Sequence, residues 1–544
     1  MYTIVFSRST ACIICIVVSL LACLSAIEGA DSWPHYGCNP AFTSFSSAED
    51  QITPATINQI DRLWGIGCDD GYFSVYSRSP AIWNGRLYAT GAGAPLRCYD
   101  AKTGELHWSY GGTQTGWTPQ PTVTSDGIVL YLQGEMTNYN LKAINGMTGS
   151  LIWTSPLQFN LGYNNTTVVN VDESRNQVLL LEEPFAPDTG KLFALNLDSG
   201  EINWYMSKAL DGFSFVGNYV VRSGTTIYAG IVEESWSRER VGVIDLVTRE
   251  LDDVWQRPGE TSSTYIASIT LCDDALAVTF LNGNGEPGGD LVVYDTADGS
   301  VNWSYTVTSH ITGDVAYNPE LDRLYLPTNP KLYALSLDQT PGDIEPDWTH
   351  TGFDAIYSPT VAGGIVYFLA DTNAYALDEL DGTKIKNFPL GEQAYETTQV
   401  AVCDGAIYFS GNGGTCDLFA YGFPPPCDTL GVELWMPAKT YEWMDPCACS
   451  VTVCNPGDTQ LNSVPLFVLL DVYGTYFFAP SFTNDPDFYT VNPPPGTSTV
   501  EVLPEFNWPP AVGSADGIIW YAAMTNAAMN ELQGEMDTWE FGWQ

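Results

Sequence analysis

The side chains able to do chemistry are unevenly supplied in this chain. Its 544 residues include 64 Asp and Glu, 20 Lys and Arg, and only four histidines: His35, His107, His310 and His350. Carboxylates in such numbers suit acid–base work or calcium, which makes "LNGNGEPGGD" (281–290) the first candidate. It carries oxygen donors but follows no calcium-loop spacing, and a glycine-rich connection between strands explains it better. Neither a G-x-S-x-G elbow nor an H-E-x-x-H helix occurs. His107 stands beside a tryptophan in a strand-like run and reads as a surface position. Cys447, Cys449 and Cys454 lie close together with no histidine nearby, which favours disulfide chemistry over zinc. No catalytic, cofactor-binding or metal-binding residue emerges.

Charge and compartment narrow the classes. A formal charge of −44 argues against nucleic acid as a partner, because phosphate binding needs concentrated cationic surface. It also disfavours docking on anionic lipid. Arg8 precedes the apolar run "ACIICIVVSLLACLSAI" (11–27), whose length suits a secretory signal over residues 1–30 better than a membrane span. Cleavage is expected between Ala26 and Ala30, with lipidation of Cys23 in "LLAC" as the alternative. The ten cysteines that follow, from Cys38 to Cys454, form an even set, as disulfides in an exported protein require.

The recurring constellation is structural. "CYDAKTGELHW" ends at Trp108, "KAINGMTGSLIW" at Trp153, "ALNLDSGEINW" at Trp204, "VIDLVTRELDDVW" at Trp255 and "VVYDTADGSVNW" at Trp303. A looser "YALSLDQTPGDIEPDW" ends at Trp348, and "AYALDELDGTKIKNF" puts Phe388 in the same place. The spacing of about 40–50 residues suits one four-stranded propeller blade per repeat. Each unit is a hairpin closed by a D-x-x-T-G turn: glycine supplies the positive φ, and Asp and Thr side chains bond the turn amides. An indole offers a flat apolar face and one N–H donor, suited to bridging neighbouring blades. Eight preceding strand pairs, such as "SPTVAGGIVYFLA" (358–370), complete the blades. The eighth blade lacks its fourth strand, which "DRLWGIG" (61–67) supplies through Trp64, so the ring closes by pairing the two ends of the array. All the anchors, Phe388 included, are expected to be buried between blades.

The A-x-D-x-x-T-G-x-x-x-W motif resembles the tryptophan-docking repeat of the pyrroloquinoline-quinone (PQQ)-like β-propeller superfamily, over about residues 33–424. "WPHYGCNPAFTSFSS" (33–47) resembles the opening segment of such propellers, and "TPATINQIDRLW" (53–64) their lead-in helix, with Thr53 as cap, Pro54 in the first turn, and Ile57 and Ile60 facing inward. The resemblance implies an all-β fold, an eight-bladed PQQ-like propeller over residues 31–424. Dehydrogenases of the superfamily hold PQQ against a vicinal disulfide, with Glu, Asn and Asp around calcium, an Asp base and cations for the quinone carboxylates. This chain has no adjacent cysteines, and basic residues such as Lys102, Lys142, Arg249 and Lys384 fall in or near peripheral hairpin turns.

After "FPPPCD" (423–428) the repeat stops. Short alternating strands over residues 428–544 indicate a β-sandwich, and V-x-V-x-N-P-G (451–457) resembles immunoglobulin-like accessory domains. "NAAMNELQGEMD" (526–537) reads as a short helix. Cys68 and Cys416 are the expected ring-locking disulfide: laying Trp64 on Trp108 and Ala420 on Cys98 brings them within about a residue of facing each other, with Cys38 competing for Cys68. Cys403 sits a strand's length away from Cys416 and should not bond to it. The expected function is that of a secreted, non-enzymatic scaffold or adhesion module binding another protein or a cell-envelope polymer, with no cofactor. The alternative is a PQQ- and calcium-dependent alcohol or sugar dehydrogenase.

Overall fold

The computed structural model describes residues 32–543 apart from 67–78, 91–94, 112–119, 136–137, 161–167, 183–189, 208–211, 233–237, 260–263, 284–285, 354–355, 391–398, 411–417, 424–426, 428, 437–439, 442–445 and 510–512. Among the described residues, eight antiparallel sheets carry four strands each in the order of a blade, and two of them gain a short extra strand from the N-terminal segment. Blade 1, for example, runs Ala81–Trp83, Arg86–Ala89, Leu96–Asp100 and Leu106–Tyr110 from inside to outside. In blade 8 the outermost strand is Asp61–Ile66, laid on Leu418–Gly422. Trp64 faces Ala420 there as Trp108 faces Cys98 in blade 1, so the ring closes in the register of an ordinary hairpin.

The blades stack because their middle strands are apolar on both faces. Gln177–Glu182 and Ile365–Ala370 are buried along their whole length. Leu130, Leu141 and Trp153 of blade 2 share one core with Val178, Leu180 and Phe193 of blade 3, and further cores of this kind fill the other gaps. The inner strands are also tied together by side chains that reach the next blade's backbone. Thr122 Oγ1 donates to Val169 O (3.0 Å), Asn170 Nδ2 to Val220 O (3.0 Å), Thr270 Oγ1 to Val315 O (2.9 Å) and Thr360 Oγ1 to Val400 O (2.6 Å). Each removes an unpaired buried carbonyl from the axis of the ring.

Two sheets form the C-terminal unit. Gly431–Trp435, Pro446–Asn455 and Gly496–Asn507 make one. The other contains Asp537–Trp543, Ala515–Met524, Val464–Val472 and Thr475–Ala479 with two short strands. Leu434, Val451, Leu466, Val468 and Trp520 meet in the core between them. Trp435 reaches back to blade 1, where its Nε1 donates to Thr103 O.

Two local expectations are corrected, and the disulfide expected of the cysteine cluster takes its partner from outside it. The lead-in helix is one 3-10 turn, Ile57–Gln59, because Asp61 onward is needed as the closing strand; Ile57 and Ile60 are buried as expected. Residues 526–536 form turns, not a helix: Asn526 bonds the Asn530 amide and side chain, Met529 has φ 54°, and Gly534 lies against the Leu430 carbonyl. In the cysteine cluster, Cys454 bonds Cys427, with Cα atoms 5.3 Å apart, while Cys447 and Cys449 sit in the sandwich core. Cys68 and Cys416 lie outside the described residues.

Candidate functional site

The inner and outer hairpin turns of blades 1 to 7 emerge on one face, where they bond each other: Ala101 N donates to Gly85 O (2.9 Å) and Glu379 N to Gly364 O (3.1 Å). Onto these outer turns dock the anchors of the preceding blades. Trp64 Nε1 donates to Ala101 O (3.0 Å), Trp108 to Gly146 O (3.0 Å), Trp153 to Leu197 O (2.8 Å), Trp303 to Leu337 O (2.8 Å) and Trp348 to Glu379 O (3.0 Å). The turn glycine has a second role besides its positive φ. A Cβ on Gly104, Gly149, Gly200 or Gly382 would lie 2.8, 2.7, 2.3 or 2.5 Å from the indole resting on it. The turn's acidic residue works as its type suggests, with Asp100 Oδ1 accepting from the amides of Lys102 (3.0 Å) and Thr103 (2.9 Å).

Two anchors are not where the aromatic spacing puts them. Trp153, Trp204 and Trp303 face Ala143, Ala194 and Val293, but in blade 4 that place belongs to Asp253, opposite Val243. Trp255 follows two residues later and gives its N–H to Asp253 Oδ2 (2.8 Å). In blade 7 Lys386 occupies the place, opposite Ala376, and Phe388 faces Ala374. Blade 8 has no outer turn for it to meet. Lys386 Nζ instead donates to Ile57 O (3.1 Å) and Ile60 O (2.5 Å) of the lead-in turn, a charged donor replacing the indole N–H. Burial beside those carbonyls lowers its pKa. Trp64, Trp153, Trp255, Trp303, Trp348 and Phe388 are buried, but Trp108 and Trp204 are only half-buried. Trp204 faces a turn with Arg249 (φ 61°) in place of glycine, and the guanidinium lies 5.6 Å over its ring.

The segment from Trp33 to Ile60 is a strap across this same face. Its carbonyls accept inner-strand amides from five blades: Pro34 from Val123 (2.8 Å), Pro40 from Arg222 (3.1 Å), Ala41 from Leu271 (3.0 Å), Thr43 from Tyr317 (2.8 Å) and Ser44 from Val361 (2.9 Å). Tyr36 OH meets Ser358 Oγ (2.8 Å) and Gln399 Nε2 donates to Ser44 Oγ (2.6 Å), so the axis is plugged by side chains. The gap left between Tyr36, Phe42, Ser44 and Thr270 has no room for a water molecule. Buried here, His35 has its pKa lowered to about 4, burial outweighing the hydrogen bond of Nδ1 to Tyr36 O (2.7 Å). Sequence reasoning recognised the segment but not its role as a plug.

The residues singled out for chemistry do not assemble. His107 is an exposed strand residue 3.8 Å from Asp100, and His350 Nδ1 pairs with Gly382 O (2.9 Å) on the far side of the ring. Asp290 of the glycine-rich loop accepts from Arg257 Nε (2.6 Å), an ion pair rather than a calcium ligand set. Among the described residues, no three His, Cys, Asp or Glu side chains gather to hold a metal ion. PQQ needs a flat slot and cations for its carboxylates. Arg222 is the one Lys or Arg of the described inner strands, and it is taken up by Asp172 (3.7 Å) and the carbonyls of Val171 and Gly224. The described residues do not fit that group.

A family model described as outer membrane protein assembly factor BamB matches residues 61–268 and 242–388. The chain belongs to this family of PQQ-like β-propellers. It is also 24% identical over 406 residues to a quinoprotein alcohol dehydrogenase, PedH, of Pseudomonas putida, covering 71% of this chain and 61% of that protein. The chain thus spans about three fifths of that relative's length. Two solved quinohemoprotein alcohol dehydrogenases share its fold. That of Comamonas testosteroni superposes with a TM-score of 0.52 at 13% identity, over 72% of this chain and 80% of the other. ADHIIG of Pseudomonas putida gives 0.55 at 12% identity, over 74% and 81%.

Proposed function

We propose that this chain is a non-catalytic propeller, exported through its N-terminal signal, that binds another protein or a cell-envelope polymer. The observation that carries the reading is the plugged axis: the strap bonds five blades, and Tyr36 and Ser44 meet Ser358 and Gln399 of the ring across it. A site for chemistry brings a base, a nucleophile or a metal-ligand set together; among the described residues His107, His350 and Asp290 stand apart, and no three His, Cys, Asp or Glu side chains gather to hold a metal ion. The family description, an assembly factor, supports a role in holding partners. The enzyme-named relatives share the scaffold, and a scaffold alone does not carry an activity.

The test is to incubate the purified full chain with PQQ and calcium and follow dye reduction across alcohols and sugars. The expected result is a rate no higher than that of PQQ and calcium alone. Saturable turnover would overturn the proposal.

A further inference from the structure

Beside the plug, on the hairpin-turn face, the strap and blades 6 and 7 enclose an open cleft of about 550 Å³. Five carboxylates line it: Glu49 and Asp50 of the strap, Glu320 of the inner turn of blade 6, and Asp378 and Glu379 of the outer turn of blade 7. Glu379 is the departure from the repeat. Its place in the other outer turns, directly after the turn's first residue, belongs to Ala101, Gly146, Leu197, Leu246, Thr296 and Leu337, all uncharged. Glu379 is only 3% exposed, and both of its side-chain donors, Asn318 Nδ2 (2.6 Å) and Tyr325 OH (2.6 Å), go to Oε1. Among the described residues no donor reaches Oε2, although Glu49 nearby uses both its oxygens on the amides of Gln51, Ile52 and Gly405. Ser46 is 6% exposed, lines the same cleft, and its hydroxyl has no partner among the described residues.

Glu379 Oε2 and the Ser46 hydroxyl open on the cleft with no partner among the described residues, so a donor arriving there finds two free acceptors. The carboxylates do not converge as a metal site does. Among the described residues no Lys or Arg lines the cleft; Arg323 reaches the backbone carbonyl of Glu379 (2.8 Å) and Asp347 (2.9 Å). At the rim stand Leu321 and Leu380, the latter 70% exposed. The geometry points to a docking cleft for a basic, partly apolar segment of another polypeptide, with an Arg or Lys side chain entering over Glu379 and an aliphatic neighbour resting on Leu380. A guanidinium or ammonium brings its own N–H donors and neutralises the acidic wall. This inference rests on the reading that the chain binds a macromolecule.

The test uses the full chain and two short fluorescein-labelled peptides, one alternating Leu and Arg, the other Ser and Arg, read by fluorescence polarisation. Asp50, Glu320 and Leu380 are exposed, so D50N/E320Q and L380N should melt as the parent does. Each is expected to weaken Leu/Arg peptide binding by about tenfold or more. The Ser/Arg peptide should bind more weakly and not respond to L380N. E201Q/E250Q removes the same charge at exposed sites elsewhere and should change binding by less than about twofold. Equal losses in the two charge-removal variants would overturn the cleft in favour of the diffuse field of the acidic surface. Calcium binding that disappears in D50N/E320Q would overturn it in favour of a metal. If both cleft variants still capture a saturable partner as the parent does, the cleft fails while the binding reading stands; if the cleft binds peptide but the dye assay shows turnover, the reverse holds.

Discussion

Gly200 and Gly85 make a matched pair for testing what the turn glycine does. Both have φ of +70°, but a Cβ on Gly85 would meet nothing within 4 Å, whereas one on Gly200 would lie 2.3 Å from Cε3 of Trp153. G85A therefore carries only the cost of an L-residue in the left-handed region, about 1–2 kcal/mol. G200A carries the same cost and must also lift the indole. Lifting it breaks the Trp153–Leu197 hydrogen bond of 2.8 Å, worth about 1 kcal/mol net, and loosens a ring that is 8% exposed. Deleting a buried aromatic side chain altogether costs about 3–5 kcal/mol, so a partial loss of its packing adds about 1–2 kcal/mol. The total for G200A is about 3–5 kcal/mol, about 2–3 above G85A. Equilibrium urea unfolding of the two single variants, of W153A and of W153A/G200A reads these values. In the W153A background G200A should fall back to about 1–2 kcal/mol, a coupling of about 2 kcal/mol. Equal costs for G85A and G200A, or additivity with W153A, would refute the docking argument.

Replacing Lys386 by Met should cost about 2 kcal/mol through the loss of its bonds to Ile57 and Ile60 carbonyls, and hydrogen exchange should quicken first in the lead-in turn; unchanged exchange there would contradict its role. His35, with its pKa lowered from 6.5 to about 4, contributes stability that is intact above pH 6.5 and is lost as pH falls from there through about 4, in total about 3 kcal/mol. H35Q should flatten the stability–pH curve in that window, and an unaltered curve would assign the acid sensitivity elsewhere. C427S/C454S opens a bridge across a sequence separation of 27 and should destabilise the C-terminal sandwich by about 3–4 kcal/mol while leaving exchange in the blades unchanged.

The fold was legible because the repeat states it several times over. The T-G turn, the strand pairs and the ring closure by Trp64 all follow from aligned residues, and even the closing register, Trp64 against Ala420, was readable by laying one hairpin on another. What misled was reading position from residue type. Counted from the turn's first residue, Trp108, Trp153, Trp204 and Trp303 come eight places on, but Trp255 and Phe388 come ten. The count was available, and it marks Asp253 and Lys386 as the residues at that register position, although the Trp255 indole still reaches the turn of the next blade at Gly299. The helix expected at 526–537 failed for a different reason: Asn526 offers the backbone a competing bond, and the approach of Gly534 to Leu430 is a tertiary contact that no local pattern records. The strap's role was hidden likewise, since its partners lie in five separate blades.

A ring of near-identical units also changes how a site can be sought within it. Residues that recur serve the ring, because each unit has the same neighbours to satisfy. Residues that break the recurrence need a private reason, and the structure sorts those reasons. Lys386 is explained by the missing outer turn of blade 8, and Arg249 by a turn without glycine, where its guanidinium covers Trp204. Asp253 is explained by the displaced indole of Trp255, which it holds. Glu379 is different. The carbonyl that docks Trp348 would be there with any residue, and Ala or Leu serves at the same place in other blades. Burying a carboxylate there costs free energy, and half of its bonding capacity is unused by the ring. Oε1 of Glu379 serves the scaffold by accepting from the buried Asn318 and Tyr325, so the part left for a partner is Oε2, which takes no donor among the described residues at an open acidic cleft.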